Sequence, residues 1–312
     1  MFTTVRTLTL AGIDPADAVA FAGDSKGNIY VIDSAIQLVR KFDSDGRPLG
    51  VIGKTGREAG AFITPWSLSC DGQDNLYVLD VASGRINIFD SRSNFKSSLL
   101  ISAFGFIGIG IHIAQSGDLF IGGIQRPSSA GSPLLYKLNA KGDLLFSAFP
   151  RNLQVDNLHL GLVGGVVFDI ASDGLVYAAQ PVEPKISIFS AQGEQLGTFG
   201  AQPPGYRAPF KFPERLPSEH KKVQQLLDHW TQVADLRILS SQQLVLLTLN
   251  EHSPVGFILQ VYSDKGKLLM SDIGTDLLPA FNSPNHLFLY NPTEKALKLT
   301  EVVPDLARLS AL

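Results

Sequence analysis

One cysteine, Cys70, in 312 residues excludes an internal disulfide framework and any CxxC metal clip. In a strand-like run that thiol reads as a small buried hydrophobe. Charge is also scarce, at 18% of residues with a formal net charge of −3. Nucleic-acid affinity needs clustered Lys and Arg, so a phosphate-neutralising surface is not expected and no nucleic-acid partner is assigned. No apolar run reaches the about 20 residues that a spanning helix requires. The longest, Leu99 to Ala114, is interrupted by Ser102, Gly105, Gly108, Gly110 and His112, and it reads as two consecutive strands. Val5 to Leu10 alternates polar and apolar residues, so no secretory signal is expected there. Catalytic signatures are missing as well. There is no GxSxG elbow, no Walker loop and no complete GxGxxG, because Ile113 stands where the last glycine after Gly108 and Gly110 belongs. The one Asn-x-Thr, at Asn291, is blocked by Pro292.

What is present is a large apolar fraction, 45%, with 29 glycines, a composition suited to a sizeable core and many tight turns. It is organised by a repeat. Gly27-Asn28-Ile29-Tyr30-Val31-Ile32-Asp33 returns 47 residues later as Asp74-Asn75-Leu76-Tyr77-Val78-Leu79-Asp80. Degenerate copies follow at Gly117 to Ile121, Gly174 to Ala178, Gln243 to Leu247 and His286 to Tyr290. After each copy comes a second strand ending in a large apolar residue: Phe42, Phe89, Leu138, Phe189, Tyr262 and Leu299. Five of these lead into hairpin turns that open at Asp43, Asp90, Asn139, Ser190 and Ser263. There the side-chain oxygens bond the backbone and Gly supplies positive φ.

Six units of this length predict an all-β single domain over residues 1–312: a six-bladed β-propeller of four-stranded blades. The sixth copy lacks the last hairpin, while the N-terminus has a spare strand at Thr4 to Leu10. That strand is expected to complete blade six and close the ring. Residues 201–234 depart from the repeat between blades four and five. Their proline-rich start gives way to Val223, Leu226, Leu227, Trp230 and Val233 at helical spacing behind Ser218, which predicts one amphipathic helix. Two uses fit it, a plug on the propeller or a lid and docking element.

The second repeat, from Gly56 through Phe62-Ile63-Thr64-Pro65, Asp71-Gly72, Asn75 to Asp80 and Arg85 to Asp90, resembles the NHL repeat family. At the level of motif the resemblance covers two blades. The NHL-type propeller it implies gathers its inter-blade connections on one face around a central channel. That face would carry Arg57, Trp66, Arg126, Arg151, His159, Tyr206, Arg207 and His252 as ligand-binding residues, with Asn152, Glu183 and Glu251 nearby. Trp66 is expected on the inner strand of blade two with much of its ring buried. Asp33 and Asp80, which end the repeat, are expected to bond backbone amides.

Two functions follow. The first is a non-enzymatic module binding a protein, peptide or glycan, acting as a monomer without cofactor or metal. The alternative is a metal-dependent lyase or hydrolase. It rests on a resemblance of the architecture to peptide-amidating lyases, which implies zinc held by histidines near the channel. No pair here has HExxH spacing, and His220 and His229 fall in the insertion, so only His112, His159, His252 and His286 could converge. The compartment stays open, extracytoplasmic or cytoplasmic.

Overall fold

The computed structural model describes residues 2–114, 116–125, 131–150, 165–208, 231–239, 244–250, 257–275, 277–282 and 286–305. Its strands run in chain order as β1 (Phe2–Leu10), β2 (Ala18–Gly23), β3 (Ile29–Asp33), β4 (Leu38–Phe42), β5 (Pro48–Ile52), β6 (Lys54–Thr55), β7 (Ala61–Phe62), β8 (Pro65–Cys70), β9 (Leu76–Asp80), β10 (Arg85–Phe89) and β11 (Phe95–Leu100). Then come β12 (Phe106–Ile113), β13 (Leu119–Gln125), β14 (Pro133–Leu138), β15 (Leu144–Pro150), β16 (Val167–Ile170), β17 (Val176–Ala179), β18 (Ile186–Phe189) and β19 (Gln195–Phe199). The last seven are β20 (Gln232–Leu239), β21 (Leu244–Asn250), β22 (Phe257–Ser263), β23 (Leu268–Thr275), β24 (Leu278–Asn282), β25 (Leu287–Tyr290) and β26 (Leu297–Pro304).

Six four-stranded antiparallel sheets result among the described residues, which is a six-bladed propeller. Five take four successive strands each, starting at β2, β8, β12, β16 and β20. The sixth has the order β1-β26-β25-β24, with β1 antiparallel to β26 from Phe2 opposite Pro304 to Leu10 opposite Leu297. Along β1 only Leu8 and Leu10 are buried, as a half-covered outer strand requires.

The repeat sequence explains the packing. A second strand is covered on both faces, so it reads as a continuous apolar run, and its period of two divides the residues between two neighbours. Ile29 and Val31 join the core shared with blade six, while Tyr30 and Ile32 join the core shared with blade two. In blade two, Leu76 and Val78 face back to blade one and Leu79 faces blade three. The described cores number six, one between each neighbouring pair of blades, including blade six against blade one.

One turn is built five times over. The side-chain oxygen of Asp43, Asp90, Asn139 or Ser190 accepts the amides two and four residues on, at 2.8–2.9 Å for the Asp and Asn turns and 3.2 Å for Ser190. Ser263 accepts the amide four residues on at 3.2 Å. The turns after the inner strands of blades one and two use the same device. Asp24 and Asp71 each accept two backbone amides, the amide of Asn28 or Asn75, and the hydroxyl of Tyr30 or Tyr77. These bonds absorb the Asp, Asn and Tyr of the repeat into architecture.

Most of the expected helix, residues 209–230, lies outside the described residues. Val233, placed by the spacing in its apolar stripe, belongs instead to β20, where it is buried and pairs with Leu249. An apolar residue at that position satisfies either period, and its pairing within β20 decides the matter. No α-helix occurs among the described residues.

Candidate functional site

Asp80, at the end of β9, accepts the amides of Ile63 and Thr64 at 2.7 and 3.0 Å and those of Ala82 and Ser83, so it ties the approach to the inner strand to the end of the second strand. Asp33 accepts the Ala35 amide and the Arg40 guanidinium, the latter at 2.6 Å. Both aspartates therefore serve the structure, as their turn positions imply.

Of the candidate ligand residues, Arg57 is exposed beside a Lys54–Glu58 ion pair of 2.9 Å. Trp66 lies in the inner strand of blade two, but at a bulge between Pro65 and Ser67, and it is 49% exposed. The expected burial is thus corrected. The bulge leaves Trp66 unpaired and turns it out of the ladder, so truncating it costs less than the roughly 3–5 kcal/mol of a core aromatic. Tyr206 is half-buried and its hydroxyl donates to the Val182 carbonyl at 3.2 Å. Arg207 has an exposed side chain on a fixed backbone. Its amide donates to the Thr231 hydroxyl at 3.0 Å, and its carbonyl accepts the Thr231 amide at 2.9 Å. Those two bonds pin the ends of the insertion to each other. Arg126, Arg151, His159 and His252 lie outside the described residues, as do Asn152, Glu251, His220 and His229.

Inside the ring a cavity of about 330 Å³ is lined by the inner strands of all six blades. Apolar side chains, Phe21, Leu68, Ile109, Ile111, Phe168 and Leu278 among them, share its wall with Ser67, Asp235, Arg237 and Tyr290, and more polar than apolar surface faces the cavity. The inner strands have an unpaired edge, and the outward amides of such an edge need partners. Side chains of the preceding blade supply some of them. The hydroxyls of Ser67 and Ser69 accept the amides of Ile111 and Ile113, both at 3.1 Å, and Asp169 accepts the amide of Ile238 at 2.8 Å.

Blade five adds charge to this wall through Asp235 and Arg237, and blades three and four contribute a His112–Asp169 pair that bonds the same strand. His112 Nδ1 lies 2.9 Å from Asp169 Oδ1, and Asp169 is buried. Burial alone would raise the Asp169 pKa. The His112 imidazole, the Arg237 charge and the Ile238 amide outweigh it and hold the carboxyl below its ordinary value. On β20, Arg237 Nε donates to Asp235 Oδ2 at 2.9 Å and Nη2 donates to the Ala280 carbonyl of blade six at 3.3 Å. For Asp235 the balance is opposite, and burial pushes its pKa up to about 6 against the pull of Arg237. Tyr290 stands on the same wall, and burial together with Asp235 raises its pKa. Of the other histidines, His286 Nδ1 pairs with Glu301, which also takes Arg6 Nε at 2.5 Å. His112 and His286 therefore each face a carboxylate.

The loop-based reading of the sequence missed Asp169, Asp235, Arg237 and Tyr290. For Asp169, Asp235 and Arg237 the signal is a charged residue in an inner-strand run where blade one has Ala18-Val19-Ala20-Phe21-Ala22, whereas Tyr290 ends β25, the second strand of blade six.

Together the fold and site define a six-bladed propeller with a partly ionised central channel. No family model matches the sequence, and no curated protein matches it. Solved structures resemble it in fold. A candidate exported protein from Bacteroides fragilis NCTC 9343 aligns at TM-score 0.68 and 10% identity over 98% of this chain and 95% of its own. A member of the DUF4221 family from Bacteroides vulgatus aligns at 0.68 and 9% over 97% of each chain. Virginiamycin B lyase from Staphylococcus aureus aligns at 0.55 and 7% over 97% of this chain and all of that one.

Proposed function

We propose that this propeller is a non-enzymatic binding module that takes a protein, peptide or glycan on the loop face around its channel. The observation that carries this reading is the locked stem of the insertion. The paired Arg207 and Thr231 backbones and the Tyr206–Val182 bond hold an exposed guanidinium on a rigid base. Exposed Arg and aromatic side chains on a preorganised scaffold are the groups that anchor partners. The insertion then serves as a docking arm with the amphipathic helix that its spacing implies. The blades are of NHL type, on the evidence of the Asp-Asn-Tyr turns in blades one and two. β1 is the clasp of the ring, and the module works as a monomer.

The test begins with peptide and glycan arrays probed with the intact chain. Hits should weaken at least tenfold in the Trp66→Ala and Arg207→Ala variants. Replacing residues 209–230 by a short Gly-Ser linker should leave the melting curve cooperative, because the stem is already joined, and should weaken the same hits. Hits unmoved by all three changes would remove the loop face as the site. Elemental analysis showing one tightly held metal per chain would turn the reading to the metal-dependent lyase or hydrolase.

A further inference from the structure

A separate seat lies within the channel itself. The cavity of about 330 Å³ falls in the range of small-molecule pockets, roughly 300–1,000 Å³, and it combines apolar side chains with convergent polar groups, more polar than apolar surface being exposed in it. Those polar groups are unevenly satisfied. Arg237 spends Nε on Asp235 and Nη2 on the Ala280 carbonyl, which leaves Nη1 without a hydrogen-bond partner among the described residues. The Tyr290 hydroxyl, on the same lining, also has none among them. Two unused donors belong to a lining that also carries Phe21, Ile109, Phe168 and Leu278, so a fitting ligand brings acceptor oxygens at one end and hydrocarbon at the other.

We propose that the channel cavity binds a small apolar monocarboxylate, its two oxygens on Arg237 and Tyr290 and its hydrocarbon against Phe21, Ile109, Phe168 and Leu278. This goes beyond the loop-face reading and does not depend on it. A neutral amide offers Arg237 one acceptor where a carboxylate offers two charged ones.

The charges around the seat make binding depend on protons. Asp169 from β16 is matched by His112 from β12 and by the Ile238 amide. Arg237 is matched by Asp235 on its own strand, and Tyr290 comes from β25. The portions of β2, β22 and β24 that line the cavity bring no titratable group. A ligand carboxylate therefore joins two carboxyl groups, Asp169 and Asp235, around the Arg237 guanidinium. One carboxyl must take up a proton from solvent, and Asp235, already raised to about 6, is the one placed to do so. Once protonated it releases Arg237 to the ligand.

Calorimetric titration of the intact chain with benzoate tests this, with benzamide as the neutral isostere. Benzoate should bind roughly 20-fold tighter at pH 5.5 than at pH 7.5, the ratio of protonated Asp235 for a pKa near 6. At pH 7.5 the heat should vary with buffer ionisation enthalpy as uptake of about one proton requires. Asp235→Asn should bind benzoate at pH 7.5 as tightly as the parent does at pH 5.5, with a flat pH profile. Arg237→Gln should abolish binding, and the milder Tyr290→Phe, which keeps the ring in place, should weaken it about fivefold at pH 5.5. Absent binding of benzoate at pH 5.5, equal binding of benzamide, or affinity independent of pH would each overturn the proposal. None of these outcomes touches the array hits or the Trp66 and Arg207 variants, so the two readings fail separately.

Discussion

Blades one and two gather polar side chains at the turn after the inner strand, whereas blade five places Asp235 and Arg237 on the channel wall and blade four buries Asp169 against blade five. In the first pair, Asp24 and Asp71 gather amides, an asparagine and a tyrosine hydroxyl at the turn after the inner strand. Blade four has Ala171 at that position, where the backbone bond from Ala171 N to the Leu175 carbonyl, 2.9 Å, is joined by Asp173, whose side chain accepts the Leu175 amide at 3.0 Å. It carries a further carboxylate at Asp169, two residues before Ala171, and blade five carries Asp235 and Arg237. The difference teaches where to seek function in a repeat protein. Residues that recur between blades are the ones that every blade needs in order to fold, and residues that break the recurrence are free to do something else.

The sharpest way to break the comparison is to remove the element that belongs to no repeat. Deleting residues 2–10 takes away the outer strand of blade six, bares the β26 edge and strips Leu8 and Leu10 from the core between blades six and one. The expected outcome is loss of cooperative unfolding by circular dichroism and calorimetry, because a propeller core is shared around the ring. A truncated protein that melts like the parent would show that the clasp is dispensable.

Next in size is Asp169→Ala. It removes the carboxylate that accepts the Ile238 amide and faces His112, and breaking such a buried arrangement costs about 3–5 kcal/mol. The cost should shrink in acid. A carboxyl held below its ordinary pKa contributes stability above the unfolded value near 3.9, and that stability is lost as pH falls through the folded value. Denaturant melts of parent and variant at pH 7 and pH 3 check this. A constant difference would mean that Asp169 works through packing alone.

The two kinds of polar residue also differ in how legible they were. The fold could be read because each blade repeats the same period-two strand, such as Tyr30 to Asp33 and Tyr77 to Asp80, and the same turn, opened by Asp43, Asp90, Asn139, Ser190 or Ser263. Local sequence determines such features, and they recur at fixed spacing. The channel wall could not be read, because His112, Asp169, Asp235 and Arg237 meet only when three blades are set around an axis. No local pattern records that meeting. Trp66 shows the same limit on a smaller scale. Its strand was evident, but the bulge that turns the indole outward depends on how Pro65 and Ser67 pair with Asp80 and Leu79.

A smaller loss is expected from Asp71→Ala, which gives blade two the alanine of blade four at that position. The Gln73 and Asn75 amides lose an acceptor while the backbone bond from Asp74 to Asp71 remains, so the cost is about 1–2 kcal/mol. The phenol of Tyr77, raised to about 12 by burial and then by Asp71, should titrate closer to its ordinary range in the variant, which ultraviolet titration reads directly. If stability were unchanged, the recurring aspartates would not be the structural residues they are taken for here.

The smallest effect runs the other way and makes a degenerate blade more regular. Ser263 opens the hairpin of blade five as Asp43 does in blade one, but it accepts the amide of Lys267 at 3.2 Å where Asp43 accepts that of Arg47 at 2.8 Å. Asp43 also lies near its cation, 3.6 Å from the Arg47 guanidinium, and its carboxyl is held low by the Arg47 amide first and by that charge in addition. Ser263→Asp supplies a charged acceptor to the same amide and places it opposite Lys267, so it should stabilise the chain by about 0.5 kcal/mol, a rise in Tm of roughly 1–2 °C. The sign follows from the carboxyl being favoured in its ionised form. The gain is present above the unfolded pKa near 3.9 and disappears as pH falls below it. Parallel melts of parent and variant at pH 7 and pH 3 decide the matter. A rise that persists at pH 3 would assign the gain to turn propensity instead of charge, and a fall at pH 7 would show that the outer turn of blade five is not equivalent to that of blade one.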